Sequence, residues 1–112
     1  MVGAQSRRII ATDRFNNSLE EAARYIRQHS PANADKLMEG AWPKIKQIAK
    51  SPFASPVEQQ IPDSTVEYRF SIYMKSFKII FRVLDDAVLL IDFVHVARGP
   101  DYYRQLRTTD YT

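Results

Sequence analysis

The last third of the chain constrains its fold most. From Tyr68 to Tyr103 it reads YRFSIYMKSFKIIFRVLDDAVLLIDFVHVARGPDYY, with aromatic and branched residues recurring at every second position in three successive runs. Alternation over short runs with brief turns between them predicts an antiparallel sheet with one face buried. Val66, Tyr68, Phe70 and Ile72 form one apolar set. Phe77, Ile79, Phe81 and Val83 form the second, and Leu89, Ile91, Phe93 and His95 the third. A two-residue turn at Met74-Lys75 predicts Phe70 opposite Ile79 and Ser71 opposite Lys78. A three-residue turn at Asp85-Asp86-Ala87 predicts Phe81 opposite Ile91 and Ile80 opposite Asp92. These registers stack the apolar sets on one face and leave Arg69, Lys78, Arg82 and Asp92 on the other, as an open cationic surface. The prediction is sensitive to register, because a slip of one residue moves every side chain of a strand to the opposite face.

Upstream the period changes to that of helices. Arg8 to Ala11 is a short strand candidate, its bulk supplied by Ile9 and Ile10. Phe15, Leu19, Ala22, Ala23 and Ile26 then lie on one stripe of an amphipathic helix, with Glu20, Glu21, Arg24 and Arg27 off it. Thr12 or Asp13 is the expected cap, and His29-Ser30-Pro31 the expected end, since the residue before a proline is pushed out of helical space. Ser30 and Pro31 also suit the cap and first position of a second helix. Ala34, Leu37, Met38, Ala41, Ile45, Ile48 and Ala49 carry that helix to about Lys50, with a kink expected at Pro43 and slack at Gly40. Ser51 to Thr65 holds three prolines, SPFASPVEQQIPDST, and predicts an irregular surface loop rather than a domain boundary. The expected architecture is α+β, one domain in the order β-α-α-β-β-β over residues 1–112 with an ordered core from about 9 to 106. A helical hairpin covers one face of a small, mainly antiparallel sheet.

Composition narrows the chemistry. The chain has 112 residues, 45% hydrophobic and 26% charged, with a formal net charge of +3 and no cysteine. Disulfides, thiolate zinc sites and cysteine nucleophiles are thereby excluded. The two histidines stand far apart in sequence, so no cofactor or metal is expected. The segment MVGAQSRRIIATDRF lacks the apolar core of a signal peptide, and no run approaches a membrane span, so a cytoplasmic protein without membrane contact is expected. A mild excess of positive charge favours anionic partners, nucleic acid and acidic protein segments alike.

The order of elements and several strings together resemble the RelE/ParE superfamily of bacterial toxin and plasmid-stabilisation proteins, over about Ile9 to Leu106. SLEEAARYIRQHSPANADKLMEGAWPKIKQI resembles the family's helical hairpin, SFKIIFRVLDD its YRIIYRV strand, and FVHVARGPDYY its closing V-x-H-x-x-R-D-Y segment. The resemblance implies the toxin of a type II toxin–antitoxin system, neutralised by a short, acidic cognate antitoxin. RelE-like members cut mRNA on the ribosome, whereas ParE-like members poison DNA gyrase. His95, three residues before Arg98, is closer to the ParE-like pattern. The family's aspartate after that arginine is Gly99 here, with Asp101 two positions on, and the YR of its third strand is Phe77-Lys78. Lysine does not replace arginine as a phosphate clamp. The resemblance therefore implies a gyrase inhibitor first, a ribosome-dependent mRNA endoribonuclease second, and a non-toxic antitoxin-binding relative third.

For a nuclease the resemblance gives Lys78, Arg82 and Arg98 as cations, Tyr103 or Tyr102 as a stacking or acidic group, and His95 as the side chain whose ordinary pKa suits proton transfer. For a target or antitoxin interface it gives Arg69, Lys78, Arg82, Arg98 and Tyr102. Structural alternatives stand beside these. His95 falls on the core-facing alternation and reads first as a hydrogen-bonded structural histidine. Arg82 and Asp92 read as a cross-strand ion pair. One of Tyr102 and Tyr103 is expected to pack and the other to be exposed. His29 reads as a solvated helix end, and Trp42 as packing in the core or against an antitoxin.

Overall fold

A computed structural model describes residues 6–62 and 65–106. The elements run β1 (Arg8–Ala11), α1 (Asp13–Arg27), α2 (Pro31–Lys50), β2 (Arg69–Tyr73), β3 (Phe77–Val83), β4 (Ala87–His95) and a short α3 (Pro100–Tyr103). The fold is α+β, two helices against a four-stranded sheet of order β1-β4-β3-β2. β1 runs parallel to β4, while β2–β3 and β3–β4 are antiparallel. Residues 107–112, beyond the expected ordered core, lie outside the described residues.

Local chemistry sets the helix ends. Thr12, not Asp13, caps α1: its Oγ1 accepts from the Phe15 N–H at 3.0 Å and donates to the Leu90 carbonyl at 2.8 Å. One hydroxyl thus starts the helix and ties it to β4. Ser30 Oγ accepts from the Asn33 N–H at 3.2 Å, and Pro31 occupies the first turn of α2. α2 runs unbroken through Pro43 to Lys50. Gly40 serves close approach rather than slack. Tyr73 Oη donates to the Leu37 carbonyl at 2.7 Å, and a Cβ on Gly40 would lie 2.5 Å from that hydroxyl.

The first core forms where the helical hairpin meets the sheet. Phe15, Leu19, Leu37, Ile45 and Ile48 pack there against Ile79, Phe81, Val88, Leu90 and Phe93. Burying each large side chain contributes about 1.5–3 kcal/mol. Phe93 is the centre, met edge-on by Phe15 and Tyr73 and stacked on Phe77 with centroids 4.8 Å apart.

Two registers differ from the sequence expectation. Tyr73 pairs with Phe77, so the β2–β3 turn holds three residues, and Phe70 faces Ile80 while Ser71 faces Ile79. Met74 and Lys75 take the left-handed conformation, φ 53° and 65°, without glycine. The slip turns Tyr68 and Phe70 away from the helices and brings Tyr73 into the first core. Between β3 and β4, Ile80 faces Asp92 as predicted, but Phe81 faces Leu90 across a bulge that leaves Ile91 as the extra residue. Ile91 therefore points to the face opposite the helices, whereas Phe93 points toward them.

That opposite face is not open. Ile61, Tyr68, Ile80, Ile91, Val94, Tyr103 and Leu106 form a second core there. The predicted irregular loop contributes to it. A 3-10 turn spans Pro52–Ala54, Val57 bridges Arg69, and the Glu58 N–H donates to the Tyr68 carbonyl at 2.7 Å. Glu58 and Ile61 are buried rather than on the surface. Among the described residues no helix is long and apolar enough to cross a membrane.

Candidate functional site

The expected cationic surface is divided among four places. Arg69 pairs with Phe81 in the sheet and so projects to the helix side, where it donates to the Ser55 carbonyl and pairs with Glu67. Its guanidinium lies 5.1 Å from the exposed Phe53 ring, and that of Arg7 5.4 Å from the same ring. Arg82 lies on the second face and is half-buried. Lys78, predicted to be open, is 8% exposed. Asp92 is completely buried, and its ion-pair partner is Arg14 of α1 at 3.9 Å, not Arg82.

Lys78 is held on every side. Its Nζ donates to Glu58 Oε1 at 2.7 Å and to Tyr103 Oη at 3.2 Å, and lies 4.5 Å from the Phe70 ring centroid. The second Glu58 oxygen accepts from the Gln60 N–H at 3.1 Å. Burial alone would lower the lysine pKa, but the bonds to Glu58 and Tyr103 outweigh it and hold the ammonium above its ordinary value. Burial also raises the Tyr103 hydroxyl, against the pull of Lys78. Tyr103 is therefore the packed tyrosine of the pair. The cluster fastens the loop around Glu58 and α3 over β3.

Asp92 makes the matching attachment one residue earlier in α3. Its Oδ2 accepts from Tyr102 Oη at 2.5 Å and its Oδ1 from the Phe93 N–H at 2.8 Å, with a further hydrogen bond to Ser18. Desolvation raises the carboxyl pKa, opposed by these bonds and by Arg14. The same burial and the neighbouring carboxylate push Tyr102 up to about 12, so it stays a hydrogen-bond donor. Tyr102 is half-buried, and the exposed Arg98 guanidinium sits 4.7 Å above its ring.

His95 keeps the helix-facing side of β4, opposite Phe77, but at the strand end it is exposed. Its ring meets Phe77 edge-on, and its Nδ1 accepts from the Ala97 N–H at 3.0 Å. A neutral imidazole accepting at Nδ1 carries its proton on Nε2. His95, Arg98 and Tyr102 line one groove of about 550 Å³ between the C-terminal half of α1 and the ends of β3 and β4, together with Ser18, Ile26 and Phe77. Lys78, Arg82, Arg69 and Tyr103 are not in that groove. His29 is exposed against Tyr25, as expected of a helix end. Trp42 is 54% exposed, so it is not core.

Sequence reasoning missed Glu58, Asp92 as an anchor, Ser18 and Arg14. Asp92 had a usable signal, a lone carboxylate inside the apolar run LLIDFV, where burial demands partners. Glu58 had none, because its partner is twenty residues away across a proline-rich segment. Among the described residues no three histidines, aspartates or glutamates come together as a metal site. No protein-family model matches the chain, and no curated protein matches it.

Proposed function

We propose that this chain is the toxin of a type II toxin–antitoxin pair, acting in the cytoplasm as a ParE-like inhibitor of DNA gyrase and neutralised by a short acidic antitoxin. The resemblance of its hairpin, third strand and closing segment to the RelE/ParE superfamily supports this, as does the shared β-α-α-β-β-β order. One observation favours the binding branch over the nuclease. A ribonuclease without metal needs cations and an acid–base pair on one phosphate, within hydrogen-bond reach. Here Lys78 and Tyr103 are buried, with Lys78 bound to both Tyr103 and Glu58, while His95, Arg98 and Tyr102 line a separate groove. A target-binding protein needs only the exposed members of the set.

The second reading is a RelE-like ribosome-dependent endoribonuclease, favoured by His95 and Arg98 lining the same groove. The third is a non-toxic relative that only binds an antitoxin. Purified protein assayed in parallel for gyrase supercoiling and ribosome-programmed mRNA cleavage separates them. Lost supercoiling with intact mRNA is expected. Site-specific mRNA cuts with untouched supercoiling would instead establish the nuclease, and neither effect, with harmless overexpression, the non-toxic relative.

A further inference from the structure

We infer that the pocket walled by the end of α2, the 3-10 turn at Pro52–Ala54 and the edge strand β2 binds the terminal phosphate of a nucleoside phosphate, with the base laid against Phe53. This pocket shares no lining residue with the groove that holds His95 and Arg98, and the inference goes beyond the toxin reading without depending on it.

The chain brings polar groups together here by regular spacing. Lys44, Gln47 and Ser51 stand at i, i+3 and i+7 on α2 and its C-terminal cap, so they share one stripe of the helix. Ser71 pairs with Ile79 of the first core, which puts its side chain on the helix-facing side of β2. Ser55 joins them from the loop. The lining thus holds one cation, four neutral groups able to donate and no carboxylate. Among the described residues none of these five side chains has a hydrogen-bond or ion-pair partner in the protein, although Lys44, Ser55 and Ser71 are half-buried. Polar groups drawn back from water ordinarily find partners, and five together without one point to a ligand. The helix carbonyls that would repel an anion are partly taken up: the Ser51 N–H donates to the Gln47 carbonyl and the Arg7 N–H to the Ala49 carbonyl, both at 3.1 Å.

Size and charge select the occupant. The volume of about 220 Å³ is below the ~300–1,000 Å³ of sites that enclose a whole small molecule, so the pocket takes one group of a larger ligand. A terminal phosphate brings about −1.5 to −2 charges at pH 7 and three strong acceptor oxygens, enough to use Lys44 and the neutral donors together. A backbone phosphodiester brings a single charge and fewer free oxygens, and a sugar hydroxyl would leave Lys44 without a counter-charge. The rest of the ligand meets Phe53, which lies in the turn between Ser51 and Ser55 and is 59% exposed. The Arg69 guanidinium lies 5.1 Å from that ring and donates to the Ser55 carbonyl at 2.5 Å, so ring and pocket share a wall. Bases stack on aromatic rings and on guanidinium planes alike.

Isothermal titration calorimetry on the full chain tests this with adenosine, guanosine, cytidine and uridine 5′-monophosphates, the matching nucleosides and inorganic phosphate. Saturable binding of at least one monophosphate is expected, about tenfold tighter than its nucleoside or phosphate alone. Lys44→Gln and Phe53→Ala should each weaken it about tenfold, which is about 1.4 kcal/mol. Ser71→Ala, which removes a donor without changing charge, should weaken it about threefold, while Lys46→Gln, an exposed lysine outside the pocket, leaves it within about twofold. Unchanged thermal melting of the variants separates lost binding from lost folding. No saturable binding of any monophosphate, equal losses at Lys44 and Lys46, or unchanged binding to Phe53→Ala would each overturn the inference. So would a 5′-phosphorylated oligonucleotide binding more than about tenfold tighter than the mononucleotide, since the site would then clamp a nucleic-acid end rather than a free nucleotide.

Discussion

Replacing Lys78 tests the largest departure from the sequence expectation, the buried ion pair under the second core. Lys78→Met leaves the Glu58 carboxylate, whose side chain is 3% exposed, with one neighbouring N–H at 3.1 Å and no counter-charge. Removing one member of a buried pair costs about 3–5 kcal/mol, against about 0–1 kcal/mol for a surface pair. The lysine side chain is 11% exposed, so the lower end applies, about 3 kcal/mol, or roughly 10–20 °C in melting temperature for a chain of this size. Glu58→Gln should cost about 2–3 kcal/mol, because it strands the ammonium while the Tyr103 bond remains. The double variant Lys78→Met/Glu58→Gln removes both charges and should be more stable than Lys78→Met alone. Urea unfolding followed by far-ultraviolet circular dichroism measures all three. Since the fold raises the lysine pKa, its stabilisation is complete below 10.5 and is lost as pH climbs through the folded value. The gap between wild type and Lys78→Met should therefore shrink in that alkaline range. Single variants costing under about 1 kcal/mol, or a double variant equal to their sum, would refute a buried, mutually dependent pair.

Gly40→Ala should destabilise by about 1–3 kcal/mol despite alanine's better helix propensity, because its Cβ meets Tyr73 Oη at 2.5 Å; adding Tyr73→Phe should recover part of the loss in thermal melts. Thr12→Val should cost about 1–2 kcal/mol in urea unfolding, since it removes both the α1 cap and the tie to Leu90. Asp92 has a folded pKa above its ordinary 3.8, so its contribution to stability is greatest in acid and declines as pH rises through the folded value; Asp92→Asn should lack that decline in stability measured from pH 3 to 7.

Much of this fold can be read from periodicity and caps. Thr12, Ser30 and Pro31 mark helix boundaries by side-chain chemistry that acts within a few residues, and the structure has both helices where those residues put them. The registers are harder to read because their determinants carry no compositional mark. Met74 and Lys75 take left-handed backbone without glycine, and Ile91 bulges without glycine or proline. Each event shifts a strand by one residue, enough to exchange Tyr68 and Phe70 for Tyr73 in the helix-facing core. Alternation says which side a side chain faces, not what covers that side. The polar partners of Lys78 are Glu58 in the loop and Tyr103 in the last helix, segments where no period operates. The candidate site was therefore half legible: Arg98, His95 and Tyr102 do share a groove, but Lys78 belongs to the scaffold.

The two scaffold charges explain how a four-residue helix is held in place. α3 is too short to be stable by its own hydrogen bonds. Its consecutive tyrosines reach opposite charges on neighbouring strands, Tyr103 to Lys78 on β3 and Tyr102 to Asp92 on β4. Each buried charge is neutralised from a different direction, Lys78 by Glu58 of the loop and Asp92 by Arg14 of α1. α3 thus closes two networks at once, and an error in its position would leave a charge without its full set of partners. The same contact that satisfies Asp92 also orients the ring beneath Arg98. A cation on an exposed segment after a strand would ordinarily sample many rotamers and lose entropy on binding. Stacked on a tyrosine held by a buried carboxylate, Arg98 has fewer favourable rotamers, so charge hidden in the scaffold shapes how the exposed cation is presented.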